Sequence, residues 1–274
     1  MTGSWEARYA AEFFGTLILV LLGNGAVANA FLKNTTGNDD PGLANGGWLL
    51  VASGLANGGW LLVASGLANG GWLLVASGYG LGVMLPAMMF GSISGNHLNP
   101  AITIGQAVIG IFPWAHVAPY LIWQFLGAIA GQCLILALYW PHYRQTTDNE
   151  AVLGTFATSD HANSQLNGFV TEMVGTAVLI FGAMGLYRGM FFHQNIDIAN
   201  IGVGLLIAAM VISLGGPTGP ALNPARDLGP RLVHALLPVP NKGSSHWEYS
   251  WVPVVAPIVG AVIGIWIYKI FFGL

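Results

Sequence analysis

The chain alternates between long apolar stretches and short connections rich in polar residues and glycine. Six of the apolar stretches have about the 20 residues that an α-helix needs to cross a bilayer. Two more are too short to cross. Because irregular backbone at membrane depth must line a cavity or be buried in protein, we expect these two to be re-entrant half-helices. The predicted spans lie near 8–30, 72–90, 114–140, 167–187, 198–214 and 251–272, and the half-helices near 99–109 and 223–235.

Both short segments begin with the same tripeptide, Asn99-Pro100-Ala101 in the first and Asn223-Pro224-Ala225 in the second. Asparagine is a preferred N-cap, and proline is favoured in the first helical turn because its missing N–H would have no partner there. Each tripeptide therefore predicts the start of a helix inside the membrane. Two such starts predict two half-helices that meet near the midplane.

The two halves of the sequence repeat one another. The segment Glu12–Thr16 matches Glu172–Thr176, and Gly80–Val83 corresponds to Gly202–Leu205. Three spans per half is an odd number, so the second half must run inverted relative to the first, and this arrangement brings discontinuous helices to the midplane. We therefore expect a single transmembrane domain over 1–274, with inverted halves at about 1–140 and 167–274 joined by a loop at 141–166.

A second repeat lies within the first half. The twelve residues Gly-Leu-Ala-Asn-Gly-Gly-Trp-Leu-Leu-Val-Ala-Ser occur three times without a mismatch, at 42–53, 54–65 and 66–77. Glu12 and Asn99 are 36 residues further apart than their counterparts in the second half. Two surplus copies account for 24 of these residues, and the third copy runs directly into the segment before the first tripeptide, where it is expected to start the second span. Each inserted copy would rotate a continuous helix by about 120°. We therefore expect the surplus, at about 42–65, to form an outer loop or a paired excursion.

Composition indicates a membrane protein. Hydrophobic residues make up 54% of the chain and charged residues only 7%, far below the roughly 25% of a soluble domain. The net charge of −3 argues against nucleic-acid binding. With one cysteine, Cys133, and no Cys/His cluster at ligand spacing, we expect no internal disulfide, metal or cofactor. The distribution of Lys and Arg between the predicted loops says little about which side of the membrane each loop faces. We place both termini in the cytoplasm mainly because six spans leave both ends on the same side.

The two half-helix regions carry the most specific sequence pattern. The segments Ser94–Ala101 and Asn223–Pro230 resemble those of the aquaporin family, and the chain is similar to its bacterial glycerol facilitators over nearly its whole length. Asp227, Arg231 and the pair Pro257-Ile258 resemble the solute-conducting members rather than the water-selective ones.

This resemblance implies an all-α membrane protein with six transmembrane helices and two re-entrant half-helices in an inverted repeat. It also implies a homotetramer in the plasma membrane with one pore per subunit. Glycerol, water and other small neutral solutes would pass through each pore down their gradients, with small polyols and protonated hydroxy acids such as lactic acid among the candidates. A water-selective aquaporin is the alternative within the family.

The residues around the two tripeptides can also be interpreted from physical chemistry. The N-terminus of a helix carries about +0.5 elementary charge, so two facing half-helices repel cations and protons. The side-chain amides of Asn99 and Asn223 can donate hydrogen bonds to a passing oxygen, although helix capping alone would also account for them. The backbone before each motif offers carbonyl acceptors that replace a solute's lost hydration. These are the carbonyls of Gly95, Asn96, His97, Leu98, Gly219, Pro220 and Ala221.

By resemblance, the narrowest ring of the pore is formed by Tyr79, Val211, Pro220 and Arg226. An arginine within a membrane is functional by default, and its charge bars cations. A salt bridge with Asp227 is the structural alternative for Arg226, and a place at the lipid interface is the alternative for Tyr79. Typical glycerol facilitators have a second aromatic residue where this chain has Pro220. The ring therefore suits small uncharged solutes with one polar and one apolar edge.

Two carboxylates, Glu12 and Glu172, also lie within predicted spans. We expect them to hold the N–H groups of the re-entrant loops from behind, and a proton relay is the alternative. His97 is expected to be a hydrogen-bonded group behind the first loop rather than a ligand.

Two other classes of protein compete with a channel. A coupled secondary transporter also uses inverted repeats and broken helices, but it would need an ion site or a carboxylate facing the pathway. An enzyme would need a nucleophile with its base or a metal cluster, and the sequence offers neither. The sequence therefore favours a passive channel without catalytic residues, whose partners are small neutral solutes, water and the lipid bilayer.

Overall fold

The computed structural model describes residues 3–39, 71–188 and 196–272. The surplus copies of the twelve-residue repeat, at 42–65, and the first five residues of the third copy lie outside the described residues. The expected outer loop or paired excursion therefore stays a prediction.

The described residues form eleven α-helices and one short 3₁₀ turn, Trp114–His116, which leads directly into a long helix. In chain order the helices are α1 Trp5–Phe31, α2 Thr36–Asp39, α3 Gly71–Ser94, α4 Pro100–Val108, α5 Val117–Leu138, α6 Trp140–Gln145, α7 Asn149–Gly154, α8 Gln165–Arg188, α9 Ile196–Leu214, α10 Pro224–Leu236 and α11 Val252–Phe272.

Five helices of the described chain are long and apolar enough to cross a membrane, namely α1, α3, α5 with its preceding turn, α8 and α11. The sixth predicted span is α9, whose apolar part, Ile198–Leu214, is shorter. The predicted spans thus agree with these helices to within a few residues, and the predicted half-helices are α4 and α10. The prediction of an all-α membrane protein is confirmed.

Glycines let the long helices approach closely at matching places in the two halves. A Cβ added at Gly127 on α5 would lie 2.3 Å from the carbonyl oxygen of Phe13 on α1. A Cβ added at Gly260 on α11 would lie 2.2 Å from the carbonyl oxygen of Met173 on α8. Phe13 and Met173 follow the two matched glutamates, so the inverted repeat extends to individual backbone contacts. Small residues at such crossings are typical of packed membrane helices.

Candidate functional site

Each half-helix begins at the asparagine of its tripeptide. The side-chain oxygen of Asn99 accepts a hydrogen bond from the Ala101 N–H at 2.9 Å. That of Asn223 accepts from the N–H groups of Ala225 at 3.0 Å and Arg226 at 3.2 Å. Both asparagines have extended backbone, with φ of −154° and −155°, as N-caps do. Capping uses only the amide oxygens, so both NH₂ groups are available to other partners.

These NH₂ groups link the two half-helices reciprocally. Asn99 donates to the carbonyl of Leu222 at 2.7 Å, and Asn223 donates to the carbonyl of Leu98 at 2.7 Å. The beginnings of α4 and α10 therefore meet. Each NH₂ group carries two hydrogens, so each asparagine retains one donor. The carbonyl of Leu222 was not among the acceptors predicted from the sequence. The carbonyl of Leu98 was among them, and here it already accepts one hydrogen bond, from Asn223.

The loop before each half-helix has an unusual backbone. Leu98 and Leu222 both have φ of 51°, and Asn96 has φ of 52°. These values lie in the left-handed region, which is uncommon for residues other than glycine. Such conformations persist only where the surrounding structure fixes them. Because the two loops share these φ values, we expect equivalent residues in the two halves to hold each loop in this conformation.

Glu12 and Glu172, both fully buried, provide that support. Each carboxylate accepts hydrogen bonds from two consecutive backbone N–H groups and one hydroxyl of its loop, at 2.6–3.0 Å. Gln124 adds a fourth donor to Glu12 at 2.8 Å. Neither carboxylate lines either of the two cavities that lie beside the loops. The loop donors are Ser94, His97 and Leu98 for Glu12, and Thr218, Ala221 and Leu222 for Glu172.

Two cavities meet where the ring was expected. The first has a volume of about 120 Å³ and follows both loops, and the second has a volume of about 290 Å³. Tyr79, Pro220 and Arg226 line both cavities, and Val211 lines the first. The expected carbonyl residues other than Pro220 divide between them, with Gly95, Asn96, His97, Leu98 and Ala221 along the first cavity and Gly219 along the second.

Arg226 is 4% exposed, and two acceptors hold its guanidinium. One Nη donates to the Tyr79 hydroxyl, and the other reaches the Phe156 carbonyl at 3.4 Å. The Arg226 Cζ lies 5.0 Å from the centre of the Tyr79 ring. The buried Nε has no hydrogen-bond partner among the described residues. Each Nη carries two hydrogens, so one N–H on each is left to donate to a solute.

The alternative of a salt bridge between Arg226 and Asp227 is wrong. Asp227 pairs with Arg231, one turn further along α10, at 2.9 Å, and both of these side chains are fully buried. The second oxygen of Asp227 accepts from the N–H and the hydroxyl of Thr158, both at 2.7 Å. Consecutive residues on a helix point about 100° apart, so Asp227 faces a different side of α10 from Arg226.

The alternative of a lipid-interface position for Tyr79 is also wrong. Its side chain is 6% exposed, and its hydroxyl donates to Oδ1 of Asn24 on α1. Its ring lies so close to α1 that a Cβ added at Gly23 would be 2.2 Å away.

His97 lies in the first loop and is 3% exposed. Its Nδ1 is 3.0 Å from the Thr103 hydroxyl, so it is a hydrogen-bonded group, as expected. Over the described part of the chain, no three His, Cys, Asp or Glu side chains form a group that could hold a metal ion.

The family model described as major intrinsic protein matches residues 2–268. This chain belongs to the major intrinsic protein family. Glycerol uptake facilitator protein-like 5 of Lactiplantibacillus plantarum is 91% identical, with all of both chains covered. The glycerol facilitator-aquaporin of Lactococcus lactis subsp. lactis is 38% identical over 99% of this chain and 100% of that protein. The X-ray structure of the aquaglyceroporin from Plasmodium falciparum matches with a TM-score of 0.76 and 27% identity, over 97% of this chain and 96% of its own.

As a major intrinsic protein, the chain is a multi-span membrane protein with the aquaporin fold, in a family of channels rather than enzymes. Several residues that hold its ring carry only a weak signal in the sequence. Asn24 and Gln132 are both fully buried, and their one visible signal is an uncharged polar side chain in a mostly apolar span. The Phe156 carbonyl has no signal at all, because a backbone acceptor does not depend on residue type.

Proposed function

We propose that this major intrinsic protein is a passive channel that conducts glycerol, water and other small neutral solutes. The observation that carries the proposal is the reciprocal pair of hydrogen bonds from Asn99 to Leu222 and from Asn223 to Leu98. This pair holds the positive ends of two half-helices together beside a cavity. The glycerol-facilitator names of the relatives support the solute class.

In this proposal, a neutral solute passes the midpoint by exchanging hydrogen bonds. The remaining N–H of Asn99 and that of Asn223 donate to it, and the loop carbonyls accept from it, so its lost hydration is replaced. Each half-helix end carries about +0.5 elementary charge, and Arg226 adds a full charge nearby. A cation therefore meets repulsion at both places, whereas a neutral solute does not.

The ring sets the shape of the solute. Tyr79, Val211 and Pro220 provide largely apolar walls, and the second N–H of each Nη of Arg226 provides a free donor. A solute with oxygens on one edge and C–H groups on the other satisfies both kinds of wall. Glycerol and small polyols have this form, and so does the neutral form of lactic acid, which we propose as a second class of solute because Pro220 stands where a second aromatic side chain was expected.

A coupled transporter is less well supported. Glu12 and Glu172 are occupied by donors of their own loops. Among the described residues that line the first cavity there is no Asp or Glu, and Asp148 and Glu150 line only the second. A transported ion would therefore find no carboxylate along the part of the pathway beside the half-helices.

We further propose that the channel is a homotetramer in the plasma membrane, with one pore per subunit and both termini in the cytoplasm. Large apolar side chains are exposed on the outside of the long helices, including Leu138 at 69% and Leu205 at 67%. Such faces suit lipid or a neighbouring subunit. Native mass measurement in a mild detergent is expected to give four copies, and a monomer would contradict the tetramer.

Stopped-flow light scattering of proteoliposomes tests the proposed pore. The protein is expected to speed both water and glycerol equilibration relative to empty vesicles. Val211→Trp places an indole in the ring and is expected to lower both protein-dependent rates by about tenfold or more. Val178→Trp is the matched control, because Val178 is 44% exposed on α8 and lines neither cavity. Equal rates for the Val211 variant and the parent would contradict conduction through this ring.

A further inference from the structure

We propose that Asn24 is a positioning residue that sets the solute selectivity of the channel through Tyr79 and Arg226. This inference rests on the proposed role of the ring. Asn24 lies on α1, is fully buried and lines neither cavity. Any influence on a solute must therefore pass through the residues that Asn24 contacts.

A closed circuit of hydrogen bonds joins Asn24 to the ring. The Tyr79 hydroxyl donates to Asn24 Oδ1, and Asn24 Nδ2 donates to the Phe156 carbonyl at 3.2 Å. Arg226 donates to the Tyr79 hydroxyl and to the same Phe156 carbonyl, which closes the circuit. Asn24 Nδ2 also donates to Gln132 Oε1 at 2.7 Å. The amide oxygen of Asn24 and both of its amide hydrogens are thus engaged.

The circuit determines which donors of Arg226 a solute can reach. A tyrosine hydroxyl has one hydrogen, and because Asn24 accepts it, the hydroxyl oxygen of Tyr79 is left to accept from Arg226. One N–H of each Nη group is thereby held, and the second N–H of each is left for a solute. Without Asn24, the Tyr79 hydroxyl must find another acceptor. The ring would then lose its fixed width and the fixed orientation of its donor.

The inverted repeat confines this circuit to one end of the pore. Matching the two glutamates makes Met184 the counterpart of Asn24, and matching the two tripeptides makes Ile102 the counterpart of Arg226. Met184 and Ile102 both line the first cavity and pack against one apolar cluster. The second half therefore folds without an asparagine at this position. Asn24 and Arg226 thus occur together at one end of the pore, and the apolar pair Met184 and Ile102 takes their places at the other end.

The ratio of glycerol to erythritol permeability in proteoliposomes tests this inference. Asn24→Leu removes every hydrogen bond of the amide at similar volume, and Tyr79→Phe removes the hydroxyl alone. Each is expected to lower the ratio about fivefold, because a ring without a fixed Tyr79 discriminates less between polyols of different length. The double variant is expected to match the single variants, because both changes break the same circuit.

Thr16→Val is the matched control, because Thr16 is fully buried on the same helix and its hydroxyl has no partner within the described residues. Its ratio is expected to equal that of the parent. If Asn24→Leu fails to assemble, Tyr79→Phe decides alone. An unchanged or raised ratio in the variants, or additive effects in the double variant, would overturn the inference.

Arg226→Val separates this inference from the proposed function. If Arg226→Val changes the ratio while Asn24→Leu and Tyr79→Phe do not, the positioning role is overturned and the ring stands. If Arg226→Val also leaves the ratio unchanged, the ring itself does not select solutes, and both proposals are overturned.

Discussion

At the scale of single residues, a buried arginine without a carboxylate partner concentrates positive charge at one point of the pathway. Arg226 is 4% exposed, and Asp227, its neighbour in sequence, is paired with Arg231 instead. The charge of Arg226 therefore acts on whatever enters the cavities, and the nearby N-terminus of α10 reinforces it. This arrangement is the physical basis for expecting neutral solutes to pass and cations to be repelled.

Replacing Arg226 by valine tests that expectation. The smaller side chain widens the ring and removes both the charge and the free Nη donors, so glycerol flux is expected to persist or to rise by up to about tenfold. A cation or proton leak is expected to appear in electrical recordings from bilayers. Arg188→Val is the control, because it removes one positive charge from a residue that lines neither cavity. An ion current through the parent protein as large as that of the variant would contradict the electrostatic explanation.

Lactic acid provides a test in which only the solute changes its charge. Its carboxyl group is neutral below its own pKa and anionic above it, so flux is expected at low pH and is expected to fall as the pH rises through that pKa. Uptake into proteoliposomes at about pH 4 and about pH 7 measures the difference. Glycerol flux at the same two pH values is the control and is expected to be constant. Equal lactic acid flux at both would show that the neutral form is not the permeant.

At the scale of helices, close backbone contact holds the long segments together. In lipid there is little hydrophobic force between helices, so packing at small residues carries much of their association. Gly127 on α5 faces a carbonyl of α1, and Gly260 on α11 faces a carbonyl of α8. Phe13 and Met173, which supply these carbonyls, directly follow Glu12 and Glu172, so the close crossings lie beside the two residues that support the loops.

Gly260→Ala is expected to destabilise the protein by about 1–3 kcal/mol. The added Cβ would lie 2.2 Å from the carbonyl oxygen of Met173, and backbone cannot move aside as easily as a flexible side chain. Gly25→Ala is the matched control, because Gly25 is also helical and an added Cβ meets nothing within 4 Å. Thermal unfolding in detergent compares the two variants. A Gly260 variant as stable as the Gly25 variant would contradict this account of the packing.

The surplus copies of the twelve-residue repeat are expected to contribute little to the pore. Two copies are surplus to the spacing of the inverted repeat, and their register cannot extend one buried helix face. Deleting 42–65 joins Pro41 to Gly66 and is expected to leave expression, assembly and glycerol flux close to those of the parent. Collapse of flux in the deletion, with normal behaviour of the parent, would mean that the copies are integral to the fold.

At the scale of the whole molecule, the sequence predicts what depends on local pattern. Apolar runs of membrane-spanning length locate the long helices, and the Asn-Pro-Ala tripeptides locate the starts of α4 and α10. Contacts between distant segments are not predictable in this way. The hydrogen bond from Tyr79 to Asn24 joins residues that are 55 apart in the sequence. The hydrogen bond from the Asn99 amide to the Leu222 carbonyl forms only because the two half-helices meet end to end.

The concentration dependence of glycerol flux into proteoliposomes tests the central claim, passive conduction through the pore, most directly. A pore that exchanges hydrogen bonds with its solute and has no coupled ion is expected to give flux that rises linearly with the glycerol gradient. The flux is also expected to be unaffected by a sodium gradient, a proton gradient or a membrane potential. Saturation at low millimolar glycerol, or dependence of the flux on either ion gradient, would contradict the account.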